Sequence, residues 1–203
     1  MSKNTMPLHK EAWIEELAIK IFNEIEVLTK DKVGVSRESY GKGETISINY
    51  MIDLAKEFGF YIEKDAAANV YLSLEQSIKN NHILIGSHID SVPQGGNFDG
   101  LAGVIAGFLI LVYLKEKKVK TSLPIKLLVL RGEESAWYGK NCIGSKALFG
   151  LISQEDLNST HRSNGKKLSK AMTESGVKLY QIRKCKTLIN KNEVEAFIEI
   201  HIE

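Results

Sequence analysis

The sequence has few cysteines, little net charge and no long apolar run. Its 203 residues include two cysteines, Cys142 and Cys185, which lack zinc-finger spacing and are too few for a disulfide framework. Lys and Arg number 27 against 25 Asp and Glu, which leaves a net charge of +2. A dedicated nucleic-acid binder should carry a concentrated basic face. We therefore expect reduced thiols and no nucleic-acid partner.

Nothing in the hydropathy pattern indicates a membrane partner. The longest apolar run, at 101–114, is too short to span a bilayer and is interrupted by Gly103 and Gly107. The first ten residues are polar and lack the apolar core of a signal peptide. We expect a buried helix at this run and a cytoplasmic protein.

Hydrophobic periodicity predicts alternating helices and strands. The predicted helices lie at 10–29, 48–58, 101–117 and 166–175. The predicted strands lie at 69–74, 82–86, 124–130 and 194–200. The apolar helix between the second and third of these strands predicts a βαβ crossover and parallel pairing. The fold class is therefore predicted as α/β, with a mostly parallel sheet and helices on both faces.

Residues that can bind metal follow the ends of three predicted strands. His88 follows the first inner strand, Glu134 the next and His201 the last. Asp99 lies in the glycine-rich stretch at 95–100, just before the apolar helix. In open α/β sheets function gathers at the carboxyl ends of strands, and imidazole and carboxylate groups are typical ligands of divalent metals. The sequence therefore predicts four metal ligands: His88, Asp99, Glu134 and His201.

Two of these positions have plausible alternatives. Asp90, two residues after His88, suits a carboxylate that orients a ligating imidazole, although a capped loop after a strand would look similar. Asp99 is also compatible with a helix N-cap or a phosphate-binding loop. The stretch at 95–100 lacks P-loop and GxGxxG spacing, and an acid at its centre would repel phosphate. A carboxylate that bridges two cations is the favoured interpretation of Asp99.

Glu133 and Glu134 are adjacent, so their side chains should point to different sides of the chain. One can bind metal while the other faces the substrate as a general base, which accepts a proton from water whose pKa the metal has lowered. The alternative is an acidic surface turn. Because the pair follows an apolar strand that should be buried, the catalytic interpretation is favoured.

His201 lies in an alternating stretch at the end of the chain. A period of two puts Glu199, His201 and Glu203 on one face and three isoleucines on the other. A half-exposed strand residue is the alternative to a ligand, but a polar face on so apolar a strand is compatible with a site. The other histidines have no such partners in the sequence and are interpreted as solvated or structural: His9, His82 and His161.

Together these motifs resemble the M20-type metalloamidases, specifically the hydantoinase/carbamoylase branch. That branch includes N-carbamoyl-L-amino acid hydrolases, allantoate amidohydrolases and β-ureidopropionases. The matching stretches are GSHIDSV at 86–92, GGNFDG at 95–100, EE at 133–134, GSK at 144–146 and HIE at 201–203. The last is similar to the start of an HIEQG motif that separates this branch from peptidase relatives, which tend to place a carboxylate ligand there.

The resemblance implies a hydrolase of non-peptide C–N bonds in small ureido or amide substrates, of the N-carbamoyl-L-amino acid or allantoate type. It also implies two divalent ions, which could be Zn, Mn, Ni or Co. By resemblance Asp99 bridges both ions, His88 and His201 complete one site, and Glu134 belongs to the other. Glu133 is then the general base, and Asp90 orients His88.

Two departures from the family accompany the resemblance. A Ser-Arg-Phe run commonly follows the paired glutamates, whereas here the stretch reads Ala136-Trp137-Tyr138 and lacks the Arg. Family members are also longer and, as expected homodimers, continue into a lid and dimerisation domain before completing the catalytic domain. We therefore expect residues 1–203 to be the N-terminal portion of a catalytic domain. The alternatives are an aminoacylase or peptidase, a non-catalytic fragment, and a nucleotide-binding protein.

The 203-residue chain alone should have little or no amidase activity, because its predicted ligands for a second ion are only Asp99 and Glu134. The test is to incubate the chain with Zn²⁺, Mn²⁺, Ni²⁺ or Co²⁺ and to measure amino acid release from N-carbamoyl amino acids. Robust turnover would contradict the expectation that the catalytic domain is incomplete.

Overall fold

The computed structural model describes residues 11–76 and 81–202, so His9 and Glu203 lie outside the described residues. The helices are α1 (Ala12–Thr29), α2 (Lys42–Glu57), α3 (Leu101–Glu116), α4 (Ile143–Leu148), α5 (Gln154–Asn158), α6 (Leu168–Glu174) and α7 (Leu179–Ile182). The strands are β1 (Tyr61–Lys64), β2 (Val70–Ser73), β3 (His82–His88), β4 (Ile125–Leu130) and β5 (Val194–Ile198). Every predicted helix and strand is present, with ends shifted by a few residues.

The sheet has the strand order β1-β2-β4-β3-β5. β3 pairs in parallel with β4 and with β5, so the predicted crossover through α3 is confirmed. β2 pairs antiparallel with β1 and with β4, which makes the sheet mixed rather than mostly parallel. The sequence analysis missed β1 because this strand has four residues and is largely exposed, so it carries no apolar pattern. The α/β class itself is confirmed.

Helices cover both faces of the sheet. Leu127 and Val129 of β4 pack in one apolar core with α1, α2 and α3, while Leu128 packs on the opposite face against Leu148 of α4. Successive side chains of a strand point to opposite faces, so a central strand covered on both sides must be apolar throughout. None of the helices in the part of the chain that the structure describes is long and apolar enough to cross a membrane.

β5 is an edge strand and is mostly exposed. Its side chains are accessible from Glu195 to Ile198, and the strand ends two residues before the predicted boundary. The chain then continues without regular structure through Ile200, His201 and Ile202, whose side chains are all largely exposed. β5 and the residues after it therefore lie at the rim of the sheet, where His201 reaches the end of β3.

A buried ion pair fixes the turn that follows β4. Glu44 of α2 is fully buried and accepts hydrogen bonds from Arg131 Nε at 2.7 Å, Gly132 N at 2.8 Å and Tyr40 N at 2.8 Å. Arg131 also lies over the ring of Tyr40, 4.9 Å from its centroid. Burial raises the pKa of Glu44 to about 7, with Arg131 opposing the shift. The turn that carries Glu133 is thus anchored to α2.

Replacing Arg131 by Met should lower the free energy of unfolding by about 3–5 kcal/mol, because Glu44 would be left as an uncompensated buried charge. Glu44 can escape that charge by keeping a proton. The pKa of Glu44 is about 7 with Arg131 opposing the effect of burial, and it should rise further without Arg131, so the variant's extra loss should grow as pH rises above about 7. Urea unfolding at several pH values measures this loss. The double variant with Glu44→Gln should recover part of it, and equal losses in both variants would contradict the interpretation.

Candidate metal centre

Two imidazoles and one carboxylate converge at the carboxyl end of β3. His88 Nε2 lies 3.0 Å from His201 Nε2, and Asp99 Oδ1 lies 3.8 Å and 3.7 Å from these two nitrogens. One ligand atom from each residue falls within 4.8 Å of the other two. The structure therefore brings together three of the four residues predicted as ligands, from segments far apart in the sequence.

The donor atoms of this cluster fit a divalent cation. His88 Nδ1 lies 3.1 Å from the carbonyl oxygen of Asp90 and 3.3 Å from its Oδ1, so in the neutral imidazole this nitrogen would carry the proton and Nε2 would offer a lone pair. Asp99 Oδ1 is buried and has no hydrogen-bond partner within the described part of the chain. Buried polar atoms are normally satisfied, so an unpaired carboxylate oxygen beside two imidazole nitrogens fits a site for a positive ion. Two imidazoles with a carboxylate suit Zn²⁺ and similar ions.

Asp90 connects His88 to the turn that carries Glu133 and Glu134. Its fully buried carboxylate accepts hydrogen bonds from Ser39 Oγ at 2.5 Å, Glu133 N at 3.0 Å and Glu134 N at 3.1 Å, in addition to its contact with His88. Burial alone would raise the pKa of Asp90, but these donors hold it below its usual range. Asp90 therefore links the end of β3 to the turn after β4.

The charges around His88 favour its protonated form. Burial lowers the pKa of this imidazole, but the hydrogen bond to Asp90 and the negative charges of Asp90, Glu133 and Asp99 outweigh burial and raise the pKa to about 9. A cation that binds Nε2 must displace this proton. Cation binding at this site should therefore depend on pH.

Neither Glu133 nor Glu134 belongs to the closest group of possible ligands. The Glu133 carboxylate accepts a contact from Cys142 Sγ at 3.5 Å. The Glu134 carboxylate lies outside the three-residue cluster, yet burial and the charges of Asp90 and its neighbours raise its pKa to about 7. Glu134 is therefore near the site without contributing to its closest group, and the roles predicted for both glutamates stay predictions.

A close backbone approach places His201. The Ser87 hydroxyl donates to Glu199 Oε1 at 2.7 Å, which ties the residues after β5 to β3. A Cβ atom on Gly103 of α3 would lie 2.2 Å from the carbonyl oxygen of Ile200, so only glycine allows the chain to cross α3 here. The predicted polar face formed by Glu199 and His201 does meet β3.

Gly100 likewise leaves space that the His88 ring occupies. This glycine has a φ of +63°, and a Cβ atom built on it would come within 2.4 Å of the His88 ring. Gly100 precedes α3 directly and follows Asp99, so the loop can bring its carboxylate close to the imidazole only without a side chain at this position.

Sequence reasoning missed two residues of the loop between α1 and α2. Ser39 donates to Asp90, and the fully buried Arg37 donates to Asn97 in the glycine-rich stretch. The sequence at 33–44 contains three glycines, and no periodic pattern marks which of its side chains turn inward. Partners more than 50 residues away are invisible to local spacing.

The stretch that departs from the family pattern packs beside the site. Trp137 Nε1 donates to the carbonyl oxygen of Ser91 at 2.7 Å, and its ring stacks on His161 with centroids 5.4 Å apart. His161 Nε2 lies 2.7 Å from Glu38 Oε1, a carboxylate partner that the sequence pattern did not reveal. That partner comes from a distant loop. His161 is buried and is not one of the three residues of the metal cluster, in keeping with a structural role.

Asp90→Asn should weaken cation binding by roughly 10- to 100-fold, because the group that orients His88 loses its charge. Below its pKa of about 9 the wild-type imidazole binds a proton in competition with the cation, so affinity should rise up to that pH. The variant imidazole should lose its proton at lower pH, and its affinity should level off sooner. Cobalt titrations across this range measure both effects.

The exposed Asp53, which pairs with Lys56 on α2, provides the control, since Asp53→Asn should leave cobalt affinity unchanged. An Asp90→Asn variant with the pH dependence of the wild type would contradict the orienting role of Asp90.

Comparison with known proteins gives the family. The model of peptidase family M28 matches residues 69–172, just over half of the chain. An uncharacterized hydrolase of Haemophilus influenzae is 33% identical over 172 residues, which cover 83% of this chain and 41% of that protein. An N-carbamoyl-L-amino acid amidohydrolase of Geobacillus stearothermophilus is 32% identical over 179 residues, which cover 88% of this chain and 43% of that protein.

Solved structures share the fold. A hydantoinase/carbamoylase family amidase from Burkholderia ambifaria superposes with a TM-score of 0.78 at 23% identity, over 93% of this chain and 45% of that one. The chain thus spans less than half the length of these relatives. Their names confirm the predicted hydantoinase/carbamoylase resemblance, while the M20 assignment stays a prediction because the matching model is that of M28. With a family model that covers more than half of its residues, the chain belongs to peptidase family M28.

Proposed function

We propose that this chain is the N-terminal portion of the catalytic domain of a metal-dependent amidohydrolase that cleaves non-peptide C–N bonds in linear ureido or amide compounds. The observation that carries this proposal is the convergence of His88, Asp99 and His201 on one point. The hydrolase names of the relatives support it. Because the chain spans less than half of their length, the activity belongs to the proposal rather than to the family assignment.

The described residues would supply three ligands to one ion and two to the other. His88, His201 and Asp99 would hold one divalent ion, and Asp99 with Glu134 would hold a second. Zn²⁺, Mn²⁺, Ni²⁺ and Co²⁺ all accept imidazole and carboxylate ligands. Such ions supply Lewis acidity, which lowers the pKa of water and polarises a carbonyl oxygen.

The residues around the site would then move one proton. Glu133 accepts a proton from water as the water oxygen attacks the carbamoyl carbon, and returns it to the nitrogen when the C–N bond breaks. The backbone N–H of Glu133 donates to Asp90 Oδ1, which fixes the main chain that carries the proposed base. Cys142 contacts the same carboxylate at Oε1 and restricts its rotation further.

The names of two relatives support a substrate class. They are an N-carbamoyl-L-amino acid amidohydrolase and the allantoate amidohydrolase of Bacillus subtilis, whose substrates are small ureido compounds. His201 supports the same class, since the peptidase relatives in the resemblance tend to have a carboxylate at that position. The full-length protein is expected to be a homodimer, as predicted from the resemblance.

Glu133→Gln should lower the rate of carbamoyl hydrolysis by roughly 10²- to 10⁴-fold, the usual contribution of a general base. The assay needs a chimera that joins this chain to the remaining part of the Geobacillus stearothermophilus relative. Glu155→Gln, at an exposed position paired with Lys140, is the matched control and should leave the rate unchanged. A Glu133→Gln chimera with a near wild-type rate would show that another group is the base.

The match to peptidase family M28 favours a second candidate, a peptidase or aminoacylase. The same chimera separates the two candidates when it is given an N-carbamoyl amino acid, an N-acetyl amino acid and a dipeptide in parallel. We expect the ratio of kcat/KM values to favour the N-carbamoyl compound. A preference for either of the other substrates would replace the first candidate by the second.

A further inference from the structure

Arg37 has the largest side chain among the fully buried residues that the structure describes. Arginine is almost never fully buried unless it is paired. The guanidinium group of Arg37 donates to three uncharged oxygen atoms: the carbonyl oxygen of Ile89 at 2.6 Å, Asn97 Oδ1 at 3.0 Å and the carbonyl oxygen of Asn97 at 3.2 Å. A planar fork of five N–H groups can reach several oxygens in fixed directions, which a lysine cannot do.

These three oxygens belong to the two segments that carry the cation ligands. Ile89 directly follows His88, and Asn97 precedes Asp99 by two residues. The main chain of Arg37 adds two bonds to the first segment, from its N–H to Ser91 Oγ and from Ser91 N–H to its carbonyl oxygen, both at 3.0 Å. Arg37 therefore spans the gap between the end of β3 and the glycine-rich stretch.

Neighbouring contacts continue the same connection. Val35 and Gly95 exchange two backbone hydrogen bonds, of 3.0 Å and 2.9 Å, and Gln94 N–H donates to Ser36 Oγ at 2.9 Å. Asn97 Nδ2 donates to the carbonyl oxygen of Phe22 in α1 at 3.1 Å. The guanidinium is the fully buried member of this set of contacts and feels the charges of Asp90, Asp99 and Glu134.

The charge of Arg37 acts against cation binding. Burial lowers the pKa of Arg37 to about 10, while Asp90, Asp99 and Glu134 oppose that shift, so the group stays charged at neutral pH. A fixed positive charge near a cation site repels the cation. The geometric and the electrostatic effects of Arg37 on cation affinity thus have opposite signs, and variants can separate them.

We propose that Arg37 is a positioning residue that locks the loop carrying Asp99 onto the end of β3 and thereby preorganises the cation site. The lock is a property of the fold. Its effect on cation binding rests on the proposed function.

Hydrogen exchange in the metal-free 203-residue chain tests the lock directly. The N–H groups of Ser91, Gln94 and Gly95 are protected by contacts with residues 35–37. Arg37→Lys keeps the charge but cannot reach three oxygens at once, so exchange of these amides should be at least 10-fold faster while the amides of β3 and β4 are unchanged. Unchanged exchange at all three amides would overturn the proposal.

A cobalt titration, read from the visible absorption of the bound ion, tests the consequence for the site. Arg37→Lys and Asn97→Ala should each raise the dissociation constant at least 10-fold. The double variant should be little worse than either one alone, because both remove the same connection. If charge dominated, Arg37→Met would bind cobalt more tightly than the wild type, and that result would overturn the positioning role.

Two further variants keep the test decisive. Leu111→Ala creates a cavity in α3, ten residues beyond Leu101 and about 15 Å along the helix, and should lower thermal stability without changing cobalt affinity. Asn97→Ala changes a half-buried residue and serves if Arg37→Lys does not fold. Failure of the wild type to bind cobalt would contradict the proposed function, and the exchange rates would then decide the lock by themselves.

Discussion

A single buried carboxylate determines how the site is assembled. Asp90 accepts hydrogen bonds from one hydroxyl and two backbone N–H groups and contacts an imidazole, and these donors come from three separate segments. A buried charge is tolerated only when such partners replace its water shell. The turn after β4, the loop after α1 and the end of β3 therefore meet at this carboxylate, and their contacts offset the cost of burying its charge.

The charges near Asp90 leave a surplus of negative groups. Three carboxylates, from Asp90, Asp99 and Glu133, raise the pKa of His88 to about 9 against the effect of burial. Burial and the same neighbours raise the pKa of Glu134 to about 7. Both groups thus hold protons that isolated side chains would release earlier. An arrangement that retains protons in this way has the electrostatic character of a site for positive ions.

Much of this arrangement could be predicted from the sequence. Strong periodicity identified the long helices and the buried strands. The residues after the strand ends identified His88 and His201, and the glycine-rich stretch before the apolar helix identified Asp99. Arg37 and the Glu44–Arg131 pair could not be predicted, because their partners lie far away in sequence and no short pattern marks a buried ion. The short strand β1 was missed because exposure removes its apolar signal. Periodic local patterns could thus be predicted from the sequence, whereas polar contacts between distant segments could not.

The contact between Trp137 and Ser91 has a practical consequence. The indole N–H is bonded to the carbonyl oxygen of Ser91, three residues beyond His88, and its ring is stacked on His161. The chain has one other tryptophan, Trp13, which lies in α1. With Trp13 changed to Phe, all tryptophan emission would come from Trp137. The protein therefore carries its own optical probe beside the imidazoles, and occupancy of the site could be followed by fluorescence without an added dye.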